Sequence, residues 1–137
     1  MQSNKNFRLV IDTNLWISFI ISKKFSEIEQ LLVSSKSRIL FSAELLEELQ
    51  TTIQKPKLKK YFAKTSVEEM MNVFDDYIDF VEVKSKINAC RDFKDNFLLS
   101  LAIDGKADYL LTGDKDLLVL NPFEKTKIIT YSEFLKI

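Results

Sequence analysis

The stretch Phe7-Arg8-Leu9-Val10-Ile11-Asp12-Thr13-Asn14 decides how the chain folds. Residues 7–11 form a short apolar run broken only by Arg8, the pattern of a strand buried on both faces of a sheet. Asp12 stands at its carboxyl end. Leu15, Trp16, Phe19 and Ile20 follow at helical spacing, so the strand feeds a helix through the turn Asp12-Thr13-Asn14. A carboxylate directly after a buried strand is costly to bury without a partner, which marks Asp12 for function.

The same alternation continues outward. Ser26 and Glu29 have capping-box spacing ahead of an apolar stripe at Ile28, Leu31 and Leu32, and residues 38–41 read as a second strand. Ser42 can cap a helix whose inner face is Leu45, Leu46, Leu49 and Ile53, with Pro56 interrupting the pattern. Ser66 and Glu69 open another helix, with Val67, Met70, Met71, Phe74 and Ile78 on its buried side, and residues 80–83 read as a third strand. Asp92 and Asp95 stand at the start of a helix that Gly105 would terminate. A strand at 108–112, a turn at Gly113, a strand at 127–130 and a short helix around 132–135 complete the chain. Strands separated by helices throughout predict an α/β/α sandwich of three layers around a mainly parallel sheet of four to five strands.

Composition narrows the chemistry. The chain has 137 residues, 46% of them hydrophobic, which suits one domain over residues 1–137 with a single core. No apolar run is long enough to span a bilayer and the start lacks the apolar stretch of a signal peptide, so a cytoplasmic protein without membrane contact is expected. There is no histidine. Histidine-based triads, histidine-ligated zinc and imidazole bases are therefore excluded, and the lone Cys90 has no base to activate it. Twenty basic residues balance twenty acidic ones, so any nucleic-acid contact needs a local basic patch or a metal. The densest basic run is Lys55, Lys57, Lys59 and Lys60, either a phosphate grip or a solvated surface.

Asp12 and Asp114 each lie just past a strand end, and ligand sites of open parallel sheets lie outside those ends, where the strand order reverses. Asp95, at a helix start, could face the same crevice. Gathered carboxylates repel one another unless protonated or neutralised by a cation, and an all-oxygen ligand set suits Mg²⁺ or Mn²⁺. Each acid also has a plainer reading. Asp92 and Asp95 could be helix caps, Glu44, Glu47 and Glu48 solvated helix residues, and Asp114-Lys115-Asp116 a polar turn.

Three segments resemble PIN domains: residues 8–14 their opening strand, Arg91-Asp92-Phe93-Lys94-Asp95-Asn96-Phe97-Leu98 their third acidic segment, and residues 107–118 their closing motif. A serine-capped helix over residues 42–49 supplies Glu-Leu between them, and the resemblance runs from about Arg8 to Leu135. It is closest to the bacterial branch of toxin components of toxin–antitoxin pairs. The resemblance implies an endoribonuclease dependent on Mg²⁺ or Mn²⁺, an RNA substrate, homodimers and, where a toxin role holds, an antitoxin partner. Carried over by position, Asp12, Glu48, Asp95 and Asp114 match the catalytic acids, with Asp12, Asp95, Asp114 and Asp116 as metal ligands. Thr13, Asn14 and Thr112 match supporting polar positions. Phe93 departs from the family, whose members often have proline there. Glu47 competes with Glu48, and helical phase decides which points inward.

Two rival readings come from other classes. A PIN-fold module that works by binding protein or RNA would keep the fold without turnover. A phosphate-handling α/β domain is disfavoured, since Asp12-Thr13-Asn14 lacks the second aspartate of an Asp-x-Asp phosphatase and no glycine-rich phosphate loop is present.

Overall fold

A computed structural model describes residues 6–22, 25–62 and 66–137. Five strands, β1 (Arg8–Ile11), β2 (Arg38–Phe41), β3 (Ile78–Phe80), β4 (Tyr109–Leu111) and β5 (Lys127–Ile129), form one sheet in the order β3-β2-β1-β4-β5. Every neighbouring pair is parallel. The sequence expectation of a mainly parallel sheet of four to five strands is met at its upper bound. Among the described residues seven α-helices lie between the strands, α1 (Thr13–Ser22), α2 (Phe25–Ser35), α3 (Ala43–Ile53), α4 (Pro56–Lys59), α5 (Ser66–Val73), α6 (Phe93–Asp104) and α7 (Lys115–Leu118), and α8 (Tyr131–Phe134) follows the last strand.

Consecutive residues of β2 show how the layers form, because side chains of a strand alternate between its faces. Phe41 packs on Trp16 of α1 with ring centroids 5.5 Å apart, and Trp16 in turn meets Phe74, which also contacts Phe25 of α2. Leu40 points the other way, toward the end of α6. A Cβ placed on Gly105 would lie 2.7 Å from Leu40 Cδ1. Glycine is needed there because the helix end touches the sheet, since its own φ of −87° suits any residue. The helices thus cover both faces, and Leu9, Val10, Ile39, Leu40 and Leu110 are almost fully buried between them.

Where sequence and structure differ, the reason is local. No turn separates β1 from α1: Asp12 is followed at once by the helix, its Oδ1 accepting from the Asn14 amide at 3.3 Å. Ser26 lies inside α2, one residue past its first described position, so it is not that helix's cap. Ser42 does cap α3, accepting from the Leu45 amide. Pro56 opens α4, since its fixed φ and missing N–H suit a first helical position. The side chain of Ser66, expected to cap α5, lies outside the described residues, as do residues 1–5. α5 ends at Val73, so Ile78 belongs to β3, which covers 78–80 rather than 80–83. Asp79 disguised that strand: it faces Arg8 and Arg38 across the sheet, where an apolar residue would be expected. α7 falls where only a turn was expected, and Asp114 caps it. Among the described residues no helix is long and apolar enough to cross a membrane.

Candidate active site

The strand order reverses between β1 and β4, the pair whose next residues are Asp12 and Thr112. Their backbones stay in register one step beyond the strands, the Asp12 amide donating to Leu111 O at 3.0 Å. Thr112 Oγ1 donates to Asp12 Oδ2 at 2.6 Å and accepts from the Asp114 amide at 3.0 Å. One hydroxyl therefore ties together the two acids that follow the central strands. Gly113 contributes no special backbone angle, since among the described residues no glycine has positive φ. Asp114 Oδ1 then accepts from the Asp116 amide at 2.9 Å, fixing the start of α7.

Asp95 enters from α6, whose cap is Asp92, accepting from the Lys94 amide at 3.0 Å. Only Asp92 caps that helix. Asp95 is instead 5% exposed and turned inward, and its buried Oδ2 meets no donor apart from the Asp114 carboxyl facing it. Carboxylate oxygens of Asp95, Asp114 and Asp116 all lie within 4.8 Å of one another. Burial and the facing Asp114 carboxylate, with Asp92 and Asp12 adding repulsion, push the Asp95 carboxyl up to about 7. Burial likewise raises Asp12, against the lowering effect of the Thr112 hydrogen bond. These are carboxylates short of positive charge. The buried Asp95 oxygen and the all-oxygen donor set fit a hard divalent cation.

Asp12 lies outside the trio of closely spaced carboxylates, whereas Asp116 lies within it. Both oxygens of Asp12 accept hydrogen bonds, from Asn14 and Thr112, and both of Asp116 accept from Arg91, so distance alone sets Asp12 apart from the trio. Asp116 is also gripped by Arg91, whose Nη2 donates to Oδ2 at 3.0 Å.

Glu48 is half-buried while its competitors Glu44 and Glu47 are exposed. It accepts from Thr52 Oγ1 at 3.1 Å and pairs with Lys94 Nζ at 3.1 Å. Helical phase has thus turned Glu48 toward α6. The Glu48 carboxylate holds the Lys94 ammonium above its ordinary value, and Lys55 also lies within reach of Lys94. Lys57, Lys59 and Lys60 remain exposed on and after α4, with Lys60 over the Tyr61 ring. A groove of about 390 Å³ runs between α3 and α6, and Thr13, Glu48 and Lys94 join it to the acids.

Sequence reasoning passed over three residues here. Asn96, buried in α6, accepts from the amides of Ala89 and Cys90 and donates to Cys90 O at 3.1 Å, pinning the segment that leads into the acidic helix. Lys94 and Arg91 each hold a site acid from a distant part of the chain. A buried amide beside an inward acid was the one available signal. Cys90 itself is unpaired, and burial with the surrounding carboxylates raises its thiol, as expected of a residue with no nucleophilic role.

Comparison with known proteins agrees with this architecture. The family model described as PIN domain matches residues 8–116. An uncharacterized protein of Methanocaldococcus jannaschii is 31% identical over 121 residues, spanning 86% of this chain and 77% of that protein. A chain in the crystal structure of VapBC2 from Rickettsia felis, bound to a DNA fragment from its promoter, superposes with a TM-score of 0.56. That match covers 88% of this chain and 96% of the other at 16% identity, a likeness of fold. From the order of its acidic segments, its parallel sheet and the span of the family match, the chain belongs to the PIN domain family.

Proposed function

We propose that this chain is a metal-dependent endoribonuclease, hydrolysing RNA phosphodiester bonds as a single nuclease domain. The observation that carries the reading is the buried Asp95 carboxyl, its Oδ2 facing only the carboxylates of Asp114 and Asp116, at the reversal point of a parallel sheet. Membership of a family whose members are in general nucleases supports it.

Asp95, Asp114 and Asp116 would hold Mg²⁺ or Mn²⁺, with Asp12 beside them. When bound, such an ion polarises a phosphate and lowers the pKa of water. The protein's own groups do the positioning. Thr112 fixes the Asp12 and Asp114 carboxylates relative to each other, and Asn14 orients Asp12 through its amide. Thr52 and Lys94 hold Glu48 at the border of the groove, where it can accept a proton or orient water beside the scissile phosphate. Lys94 and Lys55 offer positive charge to the RNA backbone on that side, a local patch in a chain of no net charge. The exposed Lys57, Lys59 and Lys60 extend it.

The physiological role we favour is that of the toxin in a toxin–antitoxin pair, acting in the cytoplasm as a homodimer with a cognate antitoxin. The fold likeness to a chain of VapBC2 supports it. A small neighbouring gene encoding a DNA-binding protein that restores growth on co-expression would bear it out; growth unaffected by this chain alone would count against it.

The activity is tested by incubating the protein with single-stranded RNA and Mn²⁺, with EDTA and Asp12→Asn controls. Metal-dependent internal cleavage by the natural chain and none by the folded variant is expected. Equal cleavage by both would refute the assignment of Asp12. No cleavage by the natural chain would favour a binding module on the same fold.

A further inference from the structure

Phe93 and Phe97 stand on one face of α6, at i and i+4, with ring centroids 4.7 Å apart and planes at 76°. They are 70% and 41% exposed. Exposing two rings packed edge to face costs hydration free energy, and Leu98 and Leu101 of the same helix, both buried, line the α3–α6 groove beside them. Both rings line the groove between α3 and α6. The opposite wall, from α3, carries Glu44, Glu47 and Glu48 beside Leu45 and Thr51, and the groove adjoins Asp12 through Thr13.

These walls select what can enter. Phosphate is repelled by Glu44 and Glu47, Glu48 being paired with Lys94, whereas a neutral, flat group with N–H donors is favoured on both sides: aromatic surface for its face and acceptors for its edge. The positive charge that a phosphate needs lies at the exposed Lys55, within reach of Lys94, whose own charge is met by Glu48. A nucleotide would therefore enter base first, its backbone passing Lys55 toward the acids.

We infer that the α3–α6 groove is a pocket for an unpaired nucleobase of the RNA, with Phe93 and Phe97 as its stacking wall and Glu44 and Glu47 as acceptors for the base's exocyclic amino group. The inference rests on the ribonuclease reading and adds a base preference to it. Cytosine presents an amino donor where uracil presents a carbonyl, so a carboxylate wall favours cytosine and repels uracil. The two bases are otherwise alike in size and shape.

Fluorescence anisotropy with labelled hexacytidylate and hexauridylate in EDTA separates binding from cleavage. The natural chain is expected to bind hexacytidylate several-fold more tightly. Phe93→Ala should weaken both ligands about tenfold, as loss of one stacked base does, and Phe93→Trp should restore them. The double change Glu44→Gln and Glu47→Gln should narrow the cytosine preference. All these sites are exposed, and circular dichroism checks the fold. Unchanged affinity in Phe93→Ala overturns the pocket, as does an altered sedimentation coefficient with RNA affinity intact, which would make the rings a protein-docking surface. Cleavage of RNA that is insensitive to Phe93 would overturn the pocket while sparing the nuclease. Absence of both cleavage and binding in the natural chain would remove the nuclease reading, and the pocket with it.

Discussion

Asp79 and Asp95 belong to the same layer of the molecule, between the sheet and α6, and the chain treats them in opposite ways. Asp79 is clamped by two cations, Arg38 at 2.6 Å and Arg8 at 3.1 Å, which start the neighbouring strands β2 and β1. The Arg38 hydrogen bond holds its carboxyl below the usual value. Asp95, near the opposite end of those strands, faces Asp114 instead, and burial with that facing acid pushes it up to about 7. A structural acid has been given its counter-charge by the chain. At the carboxyl edge Asp116 has Arg91, while Asp95 and Asp114 face each other with a deficit that a divalent cation can fill.

The largest effect expected from this contrast follows Asp114→Asn. It removes a ligand charge, so metal-dependent RNA cleavage should fall by about a hundredfold or more, a loss of several kcal/mol of transition-state stabilisation. The same change should raise the melting temperature of the metal-free protein, because it relieves repulsion on Asp95. A variant that lost activity by unfolding would show the reverse shift and would break the comparison.

Next in size is the pH dependence of the metal-free protein. The folded value of Asp95, about 7, lies above its ordinary 3.8, so the folded chain holds a proton that the unfolded chain has released. That contribution to stability is fully present below about pH 4 and is lost as pH rises through about 7. Asp79 has the opposite sign, its contribution being present above its ordinary value and lost on acidification below it. Denaturant melts across pH 4–8 should show the decline in the natural chain and a flatter profile in Asp95→Asn. An identical slope in both would show that Asp95 is not the group responsible.

The smallest effect belongs to the neutralised end. Both ion pairs of Asp79 are about a third exposed, so Asp79→Asn should cost only about 1 kcal/mol after solvent screening, a few degrees in melting temperature. Cleavage and metal affinity should be unchanged. A loss of metal binding in that variant would mean that the two ends are coupled.

The same contrast explains what could be read from the sequence. β2 was legible because Arg-Ile-Leu-Phe is apolar after its first residue, and Asp12, Asp95 and Asp114 because each follows a strand or begins a helix. β3 was not, since Asp79 breaks its apolar run and only distant arginines account for it. Glu48 could be separated from Glu47 only by helical phase, which the packing of α3 on α6 settles. The partners Lys94, Arg91 and Asn96 act across long stretches of chain, and no local pattern marks them. Helices α4 and α7 are single turns, too short to show periodicity.

Calorimetric titration of Mn²⁺ into the protein near pH 7, repeated in buffers of different ionisation enthalpy, tests the charge deficit directly. Saturable binding that releases a fraction of a proton is expected, with both binding and release lost in Asp95→Asn. No binding at millimolar Mn²⁺, or unaltered binding in that variant, would contradict a metal site built around Asp95.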